Sequence, residues 1–192
     1  NCGFLSLTVS RLAKSVNGLE PNSSLTIISN DTKQLLKIKN CKFINKNFKD
    51  FHTNKRFDVI LSFAVHFWVN LLFYNFIKKI NKMLKLNGYL ILESHELKHL
   101  DKDFSLRIKV LENFGFRIIK KGLIEESKDF KRKFVIVQKK TNETKTQLKI
   151  LSLLISLKIE IKIFVVGFYI KFSNDFFRYF KWIKSSLKKI NI

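Results

Sequence analysis

The chain has 192 residues, 46% of them hydrophobic and 27% charged, with a formal net charge of +22 at pH 7. That length and apolar share exclude an intrinsically disordered chain and allow one domain of ordinary size with an appendage. The charge points toward polyanions, but only six of the 37 basic residues are Arg. Specific readers of bases and phosphates lean on the Arg fork, so the charge names no nucleic-acid substrate.

The first helical spacing runs from Phe4 to Lys14, with apolar residues at Phe4, Leu5, Leu7, Val9, Leu12 and Ala13. The stretch SVNGLEP reads as a short buried strand ending at Glu20 and stopped by Pro21. Ser23 and Ser24 offer N-cap hydroxyls to a helix through LTIISNDTKQLLKI. CKFINKNF alternates as a strand does, and FDVILSFAV is a nearly unbroken apolar run, the mark of an interior strand in a mainly parallel sheet. Leu71 to Leu86 reads as a long amphipathic helix with its lysines toward the C-terminal end, stopped at Asn87-Gly88.

YLILES is another buried strand, and Asp103 precedes a helix that runs through Asn113 and ends at Gly115. FRIIKKGLIEES and KRKFVIVQKK follow with only a short polar loop around Lys128 and Asp129. That loop has no room for a crossover helix, so the two strands must be antiparallel. The order α-β-α-β-β-α-β-α-β-β predicts an α/β fold: a doubly wound, mainly parallel Rossmann-like sheet ending in an antiparallel hairpin. Ligands in such sheets bind beyond the carboxyl ends of the strands. The residues expected there are Gly3, Glu20, Asn47, Ser62 to Trp68, and Glu93 to Glu96.

Taken together, residues 1 to about 140 resemble the class I S-adenosylmethionine-dependent methyltransferases. The opening NCGFLS is similar to the tail of that family's glycine-rich loop, with Gly3 as its last glycine and Asn1 where many members have the middle one. On that resemblance the chain is truncated at its N-terminus, without the family's first strand and the start of the loop. Glu20, 17 residues past Gly3, would accept hydrogen bonds from the ribose hydroxyls of S-adenosyl-L-methionine. Without the resemblance it is a solvated strand-end acid.

FINKNF resembles the segment that meets the adenine, with Asn47 at the amino group and Phe48 over the ring; both also read as ordinary loop residues. FDVILSFAVHFW resembles the fourth strand and the loop beside the sulfonium, which implies a cofactor contact at Ser62, a general base at His66 and a pocket wall at Trp68. From its residues alone, His66 reads rather as one that packs and positions that loop. LKLNGYLILESHE resembles the family's L-K-P-G-G turn and fifth strand, which places Glu93 and His95 on the acceptor side. No metal is expected, because adjacent residues of an extended segment cannot all face one ion.

Cys2 and Cys41 have neither zinc nor redox spacing, and no secretory pattern opens the chain, so a cytoplasmic protein is expected. Residues 141–192 form a C-terminal extension with ten basic and three acidic residues. Phe176, Phe177, Phe180, Trp182 and Ile183 interleave there with Arg178, Lys181, Lys184 and Lys188, the composition of a basic amphipathic helix. Such a helix lies on an anionic membrane as a peripheral contact, or packs on its own domain. The apolar stretch from Leu148 to Ile170 is broken by Lys149, Lys158, Glu160 and Lys162, so no transmembrane segment is expected.

The first reading is methyl transfer to a small molecule, a sugar or glycan precursor being one class. An RNA methyltransferase is the alternative from the charge. A non-catalytic truncated remnant is a third reading, and a nicotinamide-dependent dehydrogenase is disfavoured by the terminal hairpin.

Overall fold

The computed structural model describes residues 3–94, 103–125, 131–141 and 148–161. Its elements follow the order read from the sequence: α1 (Phe4–Val9), β1 (Val16–Leu19), α2 (Ser23–Leu35), β2 (Cys41–Ile44), β3 (Phe57–Phe63), α3 (Phe73–Met83), β4 (Leu84–Glu93), α4 (Phe104–Asn113), β5 (Phe116–Glu125) and β6 (Lys131–Lys139). A 3-10 turn at Phe48–Asp50 follows β2, and a further helix, α5, occupies 148–161. This is an α/β chain. It divides into two compact units, residues 1–54 with 68–70, and residues 55–67 with 71–192.

In the first unit β1 and β2 pair in parallel, Val16 opposite Cys41 through Leu19 opposite Ile44. Leu7 of α1 packs with Cys41 and Phe43 of β2, joined by Val16 and Ile38. Close approach is possible because Gly18 has no side chain: a Cβ there would stand 2.8 Å from Ser6 Oγ and 2.9 Å from Phe43 Cδ1. α1 is one turn shorter than the apolar spacing predicts, since Leu12 is almost fully exposed and offers no packing to extend the helix. The N-cap of α2 is Asn22 rather than Ser23 or Ser24; its side chain accepts from the Leu25 amide at 3.2 Å. Asn22 holds the extended backbone an N-cap requires, while both serines are already helical.

The second unit carries a four-stranded sheet in the order β3-β4-β6-β5. β3 and β4 are parallel, β4 and β6 antiparallel, and β5 and β6 form the antiparallel hairpin expected from their short connection. One face buries Leu90, Leu92, Val135 and Val137 against α3 and α4, which contribute Phe73, Phe76, Ile77, Ile80, Phe104, Val110 and Leu111. Gly115, in the left-handed region at φ 78°, ends the α4 segment as expected.

The end of α3 corrects the sequence reading. The helix stops at Met83 and the chain passes directly into β4. Lys139 explains the early stop. Its buried ammonium reaches back from β6, donating to the carbonyl oxygens of Asn81 and, at 3.1 Å, Leu84, acceptors left open by the helix end. Asn87-Gly88 instead belongs to an irregularity in β4, where Phe57 pairs with Leu84 but Val59 pairs with Tyr89. Asn87 takes φ 63°, and a Cβ on Gly88 would come within 2.9 Å of the Asp58 carbonyl oxygen. Among the described residues no helix is long and apolar enough to cross a membrane.

Candidate functional site

The carboxyl ends of β1 and β2 lie side by side because the strands are parallel and in register. Glu20 follows β1, its amide donating to the Ile44 carbonyl at 3.1 Å, so the acid continues the ladder past the last strand residue. Its Oε1 accepts the Asn22 amide at 3.0 Å, which folds the Glu20-Pro21-Asn22 turn onto the start of α2. Asn45, just after β2, ties the two strand ends together: its Nδ2 donates to the carbonyl oxygens of Glu20 at 3.0 Å and Pro21 at 3.1 Å. The sequence reading passed over Asn45, although it sits in the quoted FINKNF stretch.

Asn47 and Phe48 stand at the same end. Asn47 caps the 3-10 turn, its Oδ1 accepting the Lys49 amide at 3.1 Å, and Phe48 is half-buried. An amide oxygen has two lone pairs, so one such bond leaves room for a second donor. Gly3, at φ 75°, begins α1. A Cβ there would fall 2.6 Å from Phe43 Cζ and 2.8 Å from Ser29 Oγ, so packing alone requires glycine at this position. Asn1 lies outside the described residues.

In the second unit Ser62 and Glu93 occupy the carboxyl ends of the parallel pair β3 and β4. Ser62 pairs with Leu92 and therefore points to the helix-covered face, whereas Glu93 pairs with Phe63 and points to the other. Ser62 Oγ is buried and has no hydrogen-bond partner among the described residues. Glu93 is also buried and lies 3.0 Å from Arg132 Nε, an ion pair within the body of the unit. The register explains the meeting: Glu93 is opposite Phe134 in β6, and Arg132 lies two residues along on the same face. Ser94 extends the same ladder through its amide, which donates to the Lys133 carbonyl at 2.7 Å, and its Oγ, which accepts the Lys133 amide at 2.8 Å. His95 lies outside the described residues.

The loop after β3 begins at Ala64 in the left-handed region, φ 52°, and Asn70 near its end has φ 54°. Left-handed backbone in a residue with a Cβ is uncommon and is retained where surrounding structure forces it. His66 is 3% exposed, its ring edge-on to Phe73 at 5.8 Å and tilted to Phe76 at 6.3 Å. Arg107 of α4, also buried, lies 4.9 Å over the same Phe73 ring. The packing reading of His66 is therefore the one its surroundings favour. Trp68 is 65% exposed.

No family model matches the chain, and no curated protein matches it. Solved structures do. An rRNA methylase from Streptococcus thermophilus superposes with a TM-score of 0.57 at 16% identity, covering 73% of this chain and 82% of that one. The N-methyltransferase NodS from Bradyrhizobium japonicum WM9 gives a TM-score of 0.61 at 12% identity, over 73% of this chain and 81% of NodS. The fold is that of the class I methyltransferases. The NodS complex with S-adenosyl-L-homocysteine is similar as well, with a TM-score of 0.58 at 14% identity over 70% of this chain and 72% of NodS. One is named for rRNA and the other only for methylation at nitrogen, so the methyltransferase fold by itself does not choose an acceptor.

Proposed function

We propose that this chain binds S-adenosylmethionine and serves methyl transfer to a small-molecule acceptor, a sugar or glycan precursor being the class in view. The observation that carries the reading is Glu20, held at the carboxyl end of β1 by its own ladder bond, by the Asn22 amide and by the Asn45 lacing. A carboxylate has about four lone-pair sites and suits a ribose diol.

Bound S-adenosylmethionine would supply a methyl group already activated on sulfur, so the protein's task is alignment and proximity. Glu20, Asn47 and Phe48 would hold the adenosine, with Asn1 and Gly3 at the glycine-rich turn. Glu93 and Trp68, with His95, would contact the acceptor. Glu93, ion-paired with Arg132 at 3.0 Å, would accept a hydrogen bond from an acceptor hydroxyl or amine. His66 reaches a substrate proton only if the loop from Ala64 to Asn70 opens; a base must lie within hydrogen-bond distance of the proton it takes.

RNA is the second reading, favoured by the +22 charge and by the similarity to an rRNA methylase. Methyl-labelled cofactor incubated with the chain and either total RNA or a small-molecule extract separates the two. Label in the small-molecule fraction supports the proposal. Label confined to RNA overturns its acceptor. Scoring must be by product, because retention on RNA reports mainly phosphate charge.

A further inference from the structure

Helix α5 is folded with its polarity reversed. Its inward residues are Ser152, Ser156 and Ile159, each 1% exposed or less, while Ile150, Leu151, Leu153, Leu154, Leu157 and Ile161 are 38–63% exposed. The serines tolerate burial because their hydroxyls are satisfied within the helix: Ser152 Oγ donates to the Leu148 carbonyl at 2.7 Å and Ser156 Oγ to the Ser152 carbonyl at 2.8 Å. At 100° per residue the six exposed apolar positions fall within an arc of about 160°, a continuous stripe rather than scattered residues. Lys149 and Lys158, both exposed, stand at its two edges, Lys149 just outside one and Lys158 just inside the other.

We propose that this stripe docks on an anionic lipid surface, with α5 lying in the interface. An apolar stripe bordered by lysines is the arrangement in which a helix buries side chains at the acyl boundary while its ammonium groups meet headgroups. Charge selects the occupant. Residues 162–192 add seven basic residues and one acidic, and the chain as a whole carries +22, so a second copy is repelled where an anionic bilayer is attracted. Charge sets the mode. Lys149, Lys158 and Glu160 fall within the described helical residues, and charges at the centre of a bilayer are costly, so the helix is expected to lie on the bilayer rather than span it.

The test is flotation of the full chain with phosphatidylcholine vesicles, with and without about 30% phosphatidylserine, alongside Leu154→Gln/Leu157→Gln. Both positions are exposed and outside the proposed cofactor site, so circular dichroism and S-adenosylhomocysteine binding of the variant should match the parent. The expected result is binding at least about tenfold stronger to the anionic vesicles, weakened by salt, and lowered about tenfold by the double substitution. Equal binding to both vesicle types overturns the proposal, as does an unaffected double variant, which would assign binding to charge alone. A chain that ignores vesicles but self-associates, and becomes monomeric on double substitution, would give the stripe to a second copy and likewise overturn it.

Discussion

Gly3→Ala separates two reasons for a glycine at the start of α1. The substitution must accept φ 75°, a conformation that costs a residue with a Cβ about 1–2 kcal/mol. The new methyl would also lie 2.6 Å from Phe43 Cζ and 2.8 Å from Ser29 Oγ, and overpacking of that kind costs about 1–3 kcal/mol. The sum is about 2–5 kcal/mol, felt in the first unit, where all three residues reside. Amide exchange in β1 and β2 should then accelerate by at least roughly thirtyfold, the equivalent of 2 kcal/mol, with β4 and β6 little changed. Phe43→Leu removes the ring atoms nearest the methyl, so Gly3→Ala should cost less in that background; the part due to φ persists. Unchanged exchange and an unchanged urea midpoint in Gly3→Ala would refute the packing argument. If affinity for S-adenosylhomocysteine fell at the same time, the glycine would be answering to the ligand alone.

Other perturbations act on the remaining parts of the account. Glu93→Gln should lower kcat/KM at least about tenfold while leaving S-adenosylhomocysteine affinity within about twofold, and Arg132→Met should act in the same sense through Glu93. Equal losses in cofactor affinity would remove Glu93 from the acceptor side. Asn45→Ala should weaken cofactor binding a few-fold by unlacing the strand ends, at a stability cost of about 1 kcal/mol, checked by calorimetry and urea unfolding.

Alkaline pH probes two buried groups with opposite signs. Burial lowers the Lys139 pKa from its ordinary 10.5, so between the folded value and 10.5 the unfolded chain holds the extra proton and this group makes stability rise with pH. Burial raises the Cys41 thiol above its ordinary 9.0, so above 9.0 the unfolded chain loses its proton first and this group makes stability fall. Urea midpoints from pH 8 upward should therefore show Lys139→Met losing the rising contribution and Cys41→Ala losing the falling one.

The order of elements was legible because each hydrophobic pattern has its own period: the nearly unbroken run of β3, the amphipathic spacing of α3, and the glycine after α4. The boundary between α3 and β4 was not. Asn87-Gly88 carries the local signature of a helix stop, and the actual cap is Lys139, 55 residues beyond the Leu84 whose carbonyl it reaches from another strand. The candidate site divides the same way. Glu20 and Glu93 were singled out because strand ends in this fold class are where ligands bind. Arg132 was not, since its pairing with Glu93 depends on the β4–β6 register. Arg107 stayed hidden as one of two cations in α4, visible only once Phe73 lies against it. The reversed face of α5 could not be read either, because a leucine-rich stripe is assumed to point inward until the burial of Ser152 and Ser156 shows otherwise.

The measurement that bears most directly on the central claim is calorimetric binding of S-adenosylhomocysteine to the folded chain and to Glu20→Ala. Saturable binding by the parent chain is expected, with a loss of about 100-fold or more on removing the carboxylate, since hydrogen bonds from ribose hydroxyls to a charged acceptor contribute about 1.5–3 kcal/mol each. Binding that survives Glu20→Ala unchanged, or no binding by a chain shown to be folded, would contradict that claim.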